Sequence, residues 1–321
     1  HILEEKVTEG VEVRFMYDGM CSISKLPSDY PWYLRRRGIR CKVFNPINPI
    51  VSTIQNNRDH RKICVIDGKV GFTGGINLAD EYINRRERFG HWKDTAIMLE
   101  GDAVRSLTIM FLQMVEYPGR RKSTITTNIL LPPAQEFDPK DGYVLPYGDN
   151  PYDNENVGEE VYFHILNHAK EYVHIMTPYL ILDNEMTKTL ARVAKSGMEV
   201  IIIMPHIPDK PYAFAVAKTF YKELIEAGVQ IYEYTPGFVH AKSYVCDDQI
   251  GTVGSINMDF RSLYLHFECG TMLYQCEAIH DIKTDMEQCF EQCHQVTMGD
   301  CRQGVIGGLF TSVLRVLAPL M

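Results

Sequence analysis

The chain contains itself twice, so its fold has to accommodate two copies of one unit. EGVEVRFMYDG (9–19) resembles SGMEVIIIMPH (196–206), and RRGIRCKVFNP (36–46) resembles EAGVQIYEYTP (226–236). DHRKICVIDGKVGFTGGIN (59–77) resembles VHAKSYVCDDQIGTVGSIN (239–257). The anchor pairs Gly10/Gly197, Gly38/Gly228 and His60/His240 keep their order and are offset by 187, 190 and 180 residues, a drift that loop insertions produce. Two long copies in 321 residues mean two domains, each large enough to bury a core, rather than a solenoid of short units.

Each copy alternates helix and strand. In the second, helical spacing covers 159–172, an apolar run reads as a strand over 173–181, and a helix over 185–197 ends at Gly197. A buried strand follows at 198–205, then a helix over 213–228 ending at Gly228 and a strand over 229–235. This order predicts an α/β fold, two α/β/α sandwich domains related by a pseudo-twofold. In copy two a strand precedes the helix that ends at Gly197. The matching helix of copy one ends at Gly10, so its strand is expected before His1, outside this sequence. The Pro-, Asp- and Gly-rich stretch 132–142 reads as a linker, which divides the chain into a first domain (1–131), a second domain (143–300) and an apolar C-terminal helix (301–321). In that helix Val305, Ile306, Leu309, Phe310, Val313 and Leu317 share one face.

Composition narrows the function. No apolar run approaches the ~20 residues of a membrane span. The net charge of −8 argues against a protein that works by gripping nucleic acid. Nine scattered cysteines form no disulfide framework and fit a reducing compartment.

Both copies carry the same constellation: His-x-Lys, four residues, Asp, six residues, Gly-(Gly/Ser)-x-Asn. In copy one these are His60, Lys62, Asp67, Gly74, Gly75 and Asn77; in copy two, His240, Lys242, Asp247, Gly254, Ser255 and Asn257. His-x-Lys in extended chain places imidazole and ammonium on one face. Asn adds an amide donor, and the small Gly75 or Ser255 lets backbone approach a ligand. Two such half-sites facing each other suit a phosphodiester: Lys62, Lys242, Asn77 and Asn257 neutralise the non-bridging oxygens, one His attacks phosphorus and the other protonates the leaving alcohol. Fixed lysines stand where a metal would otherwise serve, so no metal or other cofactor is expected. A nucleophilic His needs a carboxylate on its second nitrogen. The candidates are Asp94, 34 residues after His60, and Glu268, 28 residues after His240. Asp67 and Asp247 belong to the repeated catalytic motif, but they sit too far along the strand to reach the same phosphate and are expected to stabilise turns.

The doubled motif resembles the phospholipase D superfamily. FTGGINLADEY (72–82), HWKDTAIMLEGDAV (91–104), TPYLILDNE (177–185) and PGFVHAKSYVCDD (236–248) look like its bacterial cardiolipin synthase branch, and the likeness runs from about Gly10 to the C-terminus. The resemblance implies an active site between the two domains and phosphatidyl transfer between two phosphatidylglycerol molecules, giving cardiolipin and glycerol through a phosphohistidine. It implies His60 as nucleophile and His240 as acid/base, where the symmetry of the sequence leaves either assignment open. It further implies work at an anionic bacterial membrane surface, with N-terminal membrane segments outside this chain; the cysteines suggest the thiol-reducing cytoplasmic side. A hydrolase releasing phosphatidic acid, or another phosphatidyltransferase, is the alternative, with a nuclease behind it.

Weaker signals remain. Pro205, Pro208 and Pro211 are expected to shape a substrate entrance beside the second motif, since the equivalent loop of copy one (19–33) is also long and partly apolar. Cys276, Cys289, Cys293 and Cys301, with His280 and His294, lack zinc-knuckle spacing and read as plain thiols. The basic runs 35–37, 85–88 and 120–122 read singly as solvated ends.

Overall fold

The computed structural model describes residues 1–46, 56–116, 142–301 and 314–315. In the first half, α1 (Ile2–Thr8) leads into β1 (Arg14–Asp18), α2 (Tyr30–Arg36) and β2 (Arg40–Phe44). Short β3 (Arg58–Asp59) precedes the antiparallel strands β4 (Ile63–Ile66) and β5 (Val70–Gly74). A 3-10 turn at Asp80–Ile83, β6 (His91–Lys93), β7 (Ala96–Glu100) and α3 (Ala103–Glu116) complete it.

The second half opens with β8 (Tyr143–Asp149) and α4 (Val157–His168). Next come β9 (Tyr172–Met176), β10 (Leu180–Ile181), α5 (Asn184–Lys195), β11 (Glu199–Pro205), α6 (Pro211–Glu226) and β12 (Gln230–Tyr234). Then β13 (Gly237–Val239), β14 (Ser243–Cys246), β15 (Ile250–Gly254) and β16 (Met258–Asp259) follow. The short α7 (Phe260–Tyr264), β17 (His266–Tyr274), α8 (Ala278–Phe290) and β18 (Cys293–Gln295) end it. The strand expected over 173–181 is two strands: Pro178 has no N–H to donate, and the ladder stops at Met176. The preceding helix ends at His168 because Asp247 takes the N–H groups of Lys170, Glu171 and Tyr172 into a turn.

The large sheet runs β18-β12-β11-β9-β14-β15-β17-β3, with β8 on the other side of β17. β9, β11 and β12 are parallel and β14, β15, β17 and β8 antiparallel. Period-two alternation gives β11 two apolar faces. Val200, Ile202 and Met204 pack with α4, α5 and α6, whereas Ile201 and Ile203 pack with α8. The result is the helix–sheet–helix sandwich expected. Helices α2 and α6 end just before Gly38 and Gly228, which adopt φ of +78° and +102°, the left-handed closure that glycine makes without strain.

The first half repeats this plan in two pieces, the parallel pair β1-β2 and the antiparallel trio β4-β5-β7. Among the described residues no strand joins β1 to β4 as β9 joins β11 to β14. The linker up to Asp141, the basic run at 120–122 and nearly all of the C-terminal helix lie outside the described residues. Of that helix, Leu314 packs on the larger core, and Arg315 pairs with Glu223 and covers the Phe220 ring. Among the described residues no helix is long and apolar enough to cross a membrane.

Among the described residues two strand pairs cross between the halves: β6 with β13, and β3 with the start of β17. Gly237 makes the first possible, since a Cβ there would lie 2.3 Å from the His91 carbonyl oxygen. Gly237→Ala is expected to lower the unfolding free energy by about 1–3 kcal/mol in a urea titration. A change below ~0.5 kcal/mol would show that this crossing is not tightly packed.

Candidate active site

Each His-x-Lys motif sits where the chain leaves one half's strand and joins the other's. His60 and Lys62 lie between β3, paired with β17 of the second half, and β4, paired with β5 of the first. His240 and Lys242 lie between β13, paired with β6 of the first half, and β14, in the sheet of the second. The backbone is pinned at both points: His60 N–H donates to the Phe267 carbonyl at 3.0 Å and His240 N–H to the Lys93 carbonyl at 2.7 Å.

These crossings decide which carboxylate meets which imidazole. Spacing along the chain suggested partners within one copy; the structure exchanges them. His60 Nδ1 donates to Glu268 at 2.9 and 3.1 Å, and His240 Nδ1 to Asp94 at 2.8 Å. The reason is topological, because Glu268 follows the β17 segment that pairs with β3, and Asp94 follows β6, which pairs with β13. Ser255 and Ser262 each donate a hydroxyl to Glu268 at 2.5 Å, and the Thr95 N–H donates to Asp94 at 2.9 Å.

Several residues expected to touch ligand do other work. Gly75 leaves room for Asp94, whose Oδ1 would lie 2.1 Å from a Cβ there, and Ser255 at the matching position holds Glu268. Both small residues therefore serve the carboxylates. Asn77 donates its amide to the Tyr82 hydroxyl at 2.7 Å. Asn257 is buried, and its Oδ1 has no hydrogen-bond partner among the described residues. Asp67 and Asp247 are not in the site at all. With φ of +55° and +52° they begin the β4–β5 and β14–β15 hairpin turns, about 16 Å of extended chain beyond the lysines.

Four residues of the site were not singled out in the sequence: Ser262, Tyr82, Trp92 and His266. Tyr82 and Trp92 flank His240, with ring centroids 5.2 and 5.4 Å away, and His266 flanks His60 at 5.5 Å. Trp92 and His266 each stand two residues before the carboxylate, which in a strand means the same face, so the repeat itself carried that signal. His60, His266 and Glu268 are the only three His, Cys, Asp or Glu side chains that converge among the described residues.

The electrostatics fix protonation. Burial drives His60 down to about 4, against the pull of Glu268. Burial, reinforced by the Lys242 charge, drives His240 down to about 3. Burial alone would raise both carboxyls, but His60 beside Glu268, and His240 and Lys242 beside Asp94, hold them below the usual carboxylate range. Each pair is thus a neutral imidazole donating Nδ1–H to an ionised carboxylate, which leaves Nε2 with its lone pair. Burial also lowers Lys62, and takes Lys242 down to about 7.

The two halves are not equivalent. The His240 ring is 7% exposed, and Lys242 Nζ lies 2.9 and 3.0 Å from its Nδ1 and Nε2. The His60 ring is 24% exposed and Lys62 donates to the His60 carbonyl, as Lys242 does to that of His240, but Nε2 of His60 has no hydrogen-bond partner among the described residues.

Two inward-facing His-x-Lys motifs on duplicated α/β/α halves define a protein of the phospholipase D superfamily. A family model described as "Cardiolipin synthase, PLD-like domain" matches residues 162–290. A Streptococcus mutans protein described as uncharacterized is 54% identical over the whole chain, which spans 69% of it. Cardiolipin synthases of Alkalihalophilus pseudofirmus and Geobacillus kaustophilus are each 37% identical over the whole chain, which spans 63% and 64% of their lengths. A solved phosphatidylserine synthase from Haemophilus influenzae shares the fold, with a TM-score of 0.70 and 15% identity over 96% of this chain and 83% of its own. The chain is thus similar to cardiolipin synthases along its whole length and spans just under two thirds of theirs.

The depressed histidines predict a pH dependence of stability. Well above pH 6.5 unfolded histidine is neutral; as pH falls through 6.5 the unfolded chain takes up protons that His60 refuses until about pH 4. Stability therefore falls as pH drops through that window. His60→Gln is expected to flatten the slope between pH 6 and 5 by close to one proton, about 1.4 kcal/mol per pH unit, in urea titrations. An unchanged slope would mean that His60 is charged in the folded protein.

Proposed function

We propose that the protein transfers a phosphatidyl group from one phosphatidylglycerol to a second, giving cardiolipin and glycerol. The observation that carries this reading is the asymmetry of the two imidazoles. His60, held at Nδ1 by Glu268 and open at Nε2, is the nucleophile; His240, less exposed and with the Lys242 ammonium against both its ring nitrogens, manages protons.

In the first step Nε2 of His60 attacks phosphorus, and the bond from phosphorus to the glycerol oxygen breaks. The leaving oxygen takes a proton from Nε2 of His240, which is resupplied by the Lys242 ammonium beside the ring. The bound anion favours the protonated forms of both, offsetting the burial that depresses them. Lys62 and Lys242 face the charge that builds on the non-bridging oxygens. In the second step the terminal hydroxyl of another phosphatidylglycerol gives its proton to His240 and attacks phosphorus. The P–N bond breaks and His60 is restored. Fixed lysines supply the countercharge, so turnover is expected in a metal chelator. A lipid substrate places this work at the surface of a bacterial membrane, and nine free cysteines fit its thiol-reducing cytoplasmic side.

The test is to mix the protein with phosphatidylglycerol vesicles in EDTA and analyse lipids by mass spectrometry. Cardiolipin and glycerol in equal amounts are expected, with activity reduced about a thousandfold or more in His60→Ala and His240→Ala. Phosphatidic acid without cardiolipin would make water the acceptor and the protein a hydrolase. Activity within about tenfold of wild type in either variant would overturn the two-histidine mechanism.

A further inference from the structure

The most exposed large apolar side chain among the described residues stands directly beside the site. Leu78 is 93% exposed and follows the motif residue Asn77. It is not isolated in kind. Ile23 (62% exposed) projects from the loop after β1, Ile83 from the 3-10 turn after β5, and Ile207 from the loop after β11.

These loops meet around one mouth. Cys21, in the first, donates its N–H to Asp18 at 2.9 Å, and Asp18 accepts from the Asp59 N–H, one residue before His60, at 3.1 Å. Tyr82 of the second has its ring on His240 and feels the charge of Asp209 in the third. The Ile207 N–H bonds to the Gly237 carbonyl, at the start of the strand that leads to His240. Each apolar tip is single and set among small or polar neighbours, Ser22-Ile23-Ser24 and Asn77-Leu78-Ala79. That arrangement offers no groove for a protein partner. It suits insertion of separate side chains between lipid headgroups, where each gains by leaving water. Arg85 and Arg86 on the same loop are exposed and form no ion pair among the described residues, although the chain as a whole is acidic.

We propose that Ile23, Leu78, Ile83 and Ile207, with Arg85 and Arg86, are the surface by which the protein docks on an anionic bilayer, with the two-histidine site facing the headgroups. This rests on the phosphatidylglycerol reading. A diacyl lipid keeps its chains in the bilayer, so the rim must meet the membrane for the phosphodiester to reach His60. The arginines attract the surface, and the apolar tips hold the rim at headgroup depth.

The experiment compares wild type with the double variant Ile23→Ser, Leu78→Ser, both changes being at exposed positions. Sedimentation with extruded phosphatidylglycerol/phosphatidylcholine vesicles reads binding. Turnover is read on those vesicles and on short-chain phosphatidylglycerol dispersed as monomers. Binding and vesicle turnover are expected to fall about tenfold or more, with monomer turnover and unfolding midpoint held within about twofold and 2 °C. Arg85→Gln with Arg86→Gln is expected to weaken binding at low salt and to change it little at high salt. Vesicle binding unchanged in the apolar variant overturns the proposal. So does an equal loss on monomeric substrate, which would place Leu78 in the lipid pocket. A wild type inactive on both substrates would defeat the transferase reading alone, since sedimentation still reports docking.

Discussion

The crossed pairing of imidazole and carboxylate governs this molecule. Neither half holds a working histidine by itself: Glu268 orients His60 from 208 residues away, and Asp94 orients His240 from 146 away. Each link is built as a strand exchange, in which the segment before a histidine pairs with the segment before the other half's carboxylate. The site therefore exists only while the halves are docked, and docking is fixed by main-chain hydrogen bonds and not by side-chain packing alone. The shared apolar clusters reinforce it. Cys269 of β17 packs with Leu99, Val104 and Leu107 of the first half, and Phe267 with Phe44 and Met114.

That arrangement concentrates charge where water is scarce. Lys242 is 1% exposed and Glu268 wholly buried. Isolated, either would carry a heavy desolvation penalty, and removing one member of a buried pair typically costs about 3–5 kcal/mol. Here the cost is shared over a network. Two serine hydroxyls and His60 satisfy Glu268, and a backbone N–H and His240 satisfy Asp94. The lysines stay incompletely compensated, which depresses them and leaves them responsive to an arriving phosphodiester anion. Catalytic readiness and electrostatic strain are here the same property.

Much of this was legible in the sequence, for definite reasons. A duplicated strand–helix alternation with glycine stops gives the sandwich, and the doubled His-x-Lys gives the reacting groups, because both signals are local and repeated. The partner of each histidine was not legible. Asp94 and Glu268 stood out as orienting carboxylates, but an exchange of strands between similar halves leaves the spacing within each copy unchanged. The roles of Gly75 and Ser255 were misread for a related reason. A small residue next to a phosphate site and one next to a buried carboxylate look alike until the carboxylate's position is known. Asp67 and Asp247 were legible as turn residues, since strand length alone separates them from the lysines. His266 and Trp92 stand at matching positions, two before each carboxylate, but differ in chemistry, so only their spacing carried a signal.

The crossed account is tested most directly by finding which histidine becomes covalently modified, and on whose carboxylate that depends. Protein mixed with labelled phosphatidylglycerol, quenched in alkali and digested, yields the modified peptide by mass spectrometry. The expected result is label on His60 in wild type and its loss in Glu268→Gln, a substitution in the opposite half of the chain. Label on His240, or undiminished capture at His60 in Glu268→Gln, would contradict it.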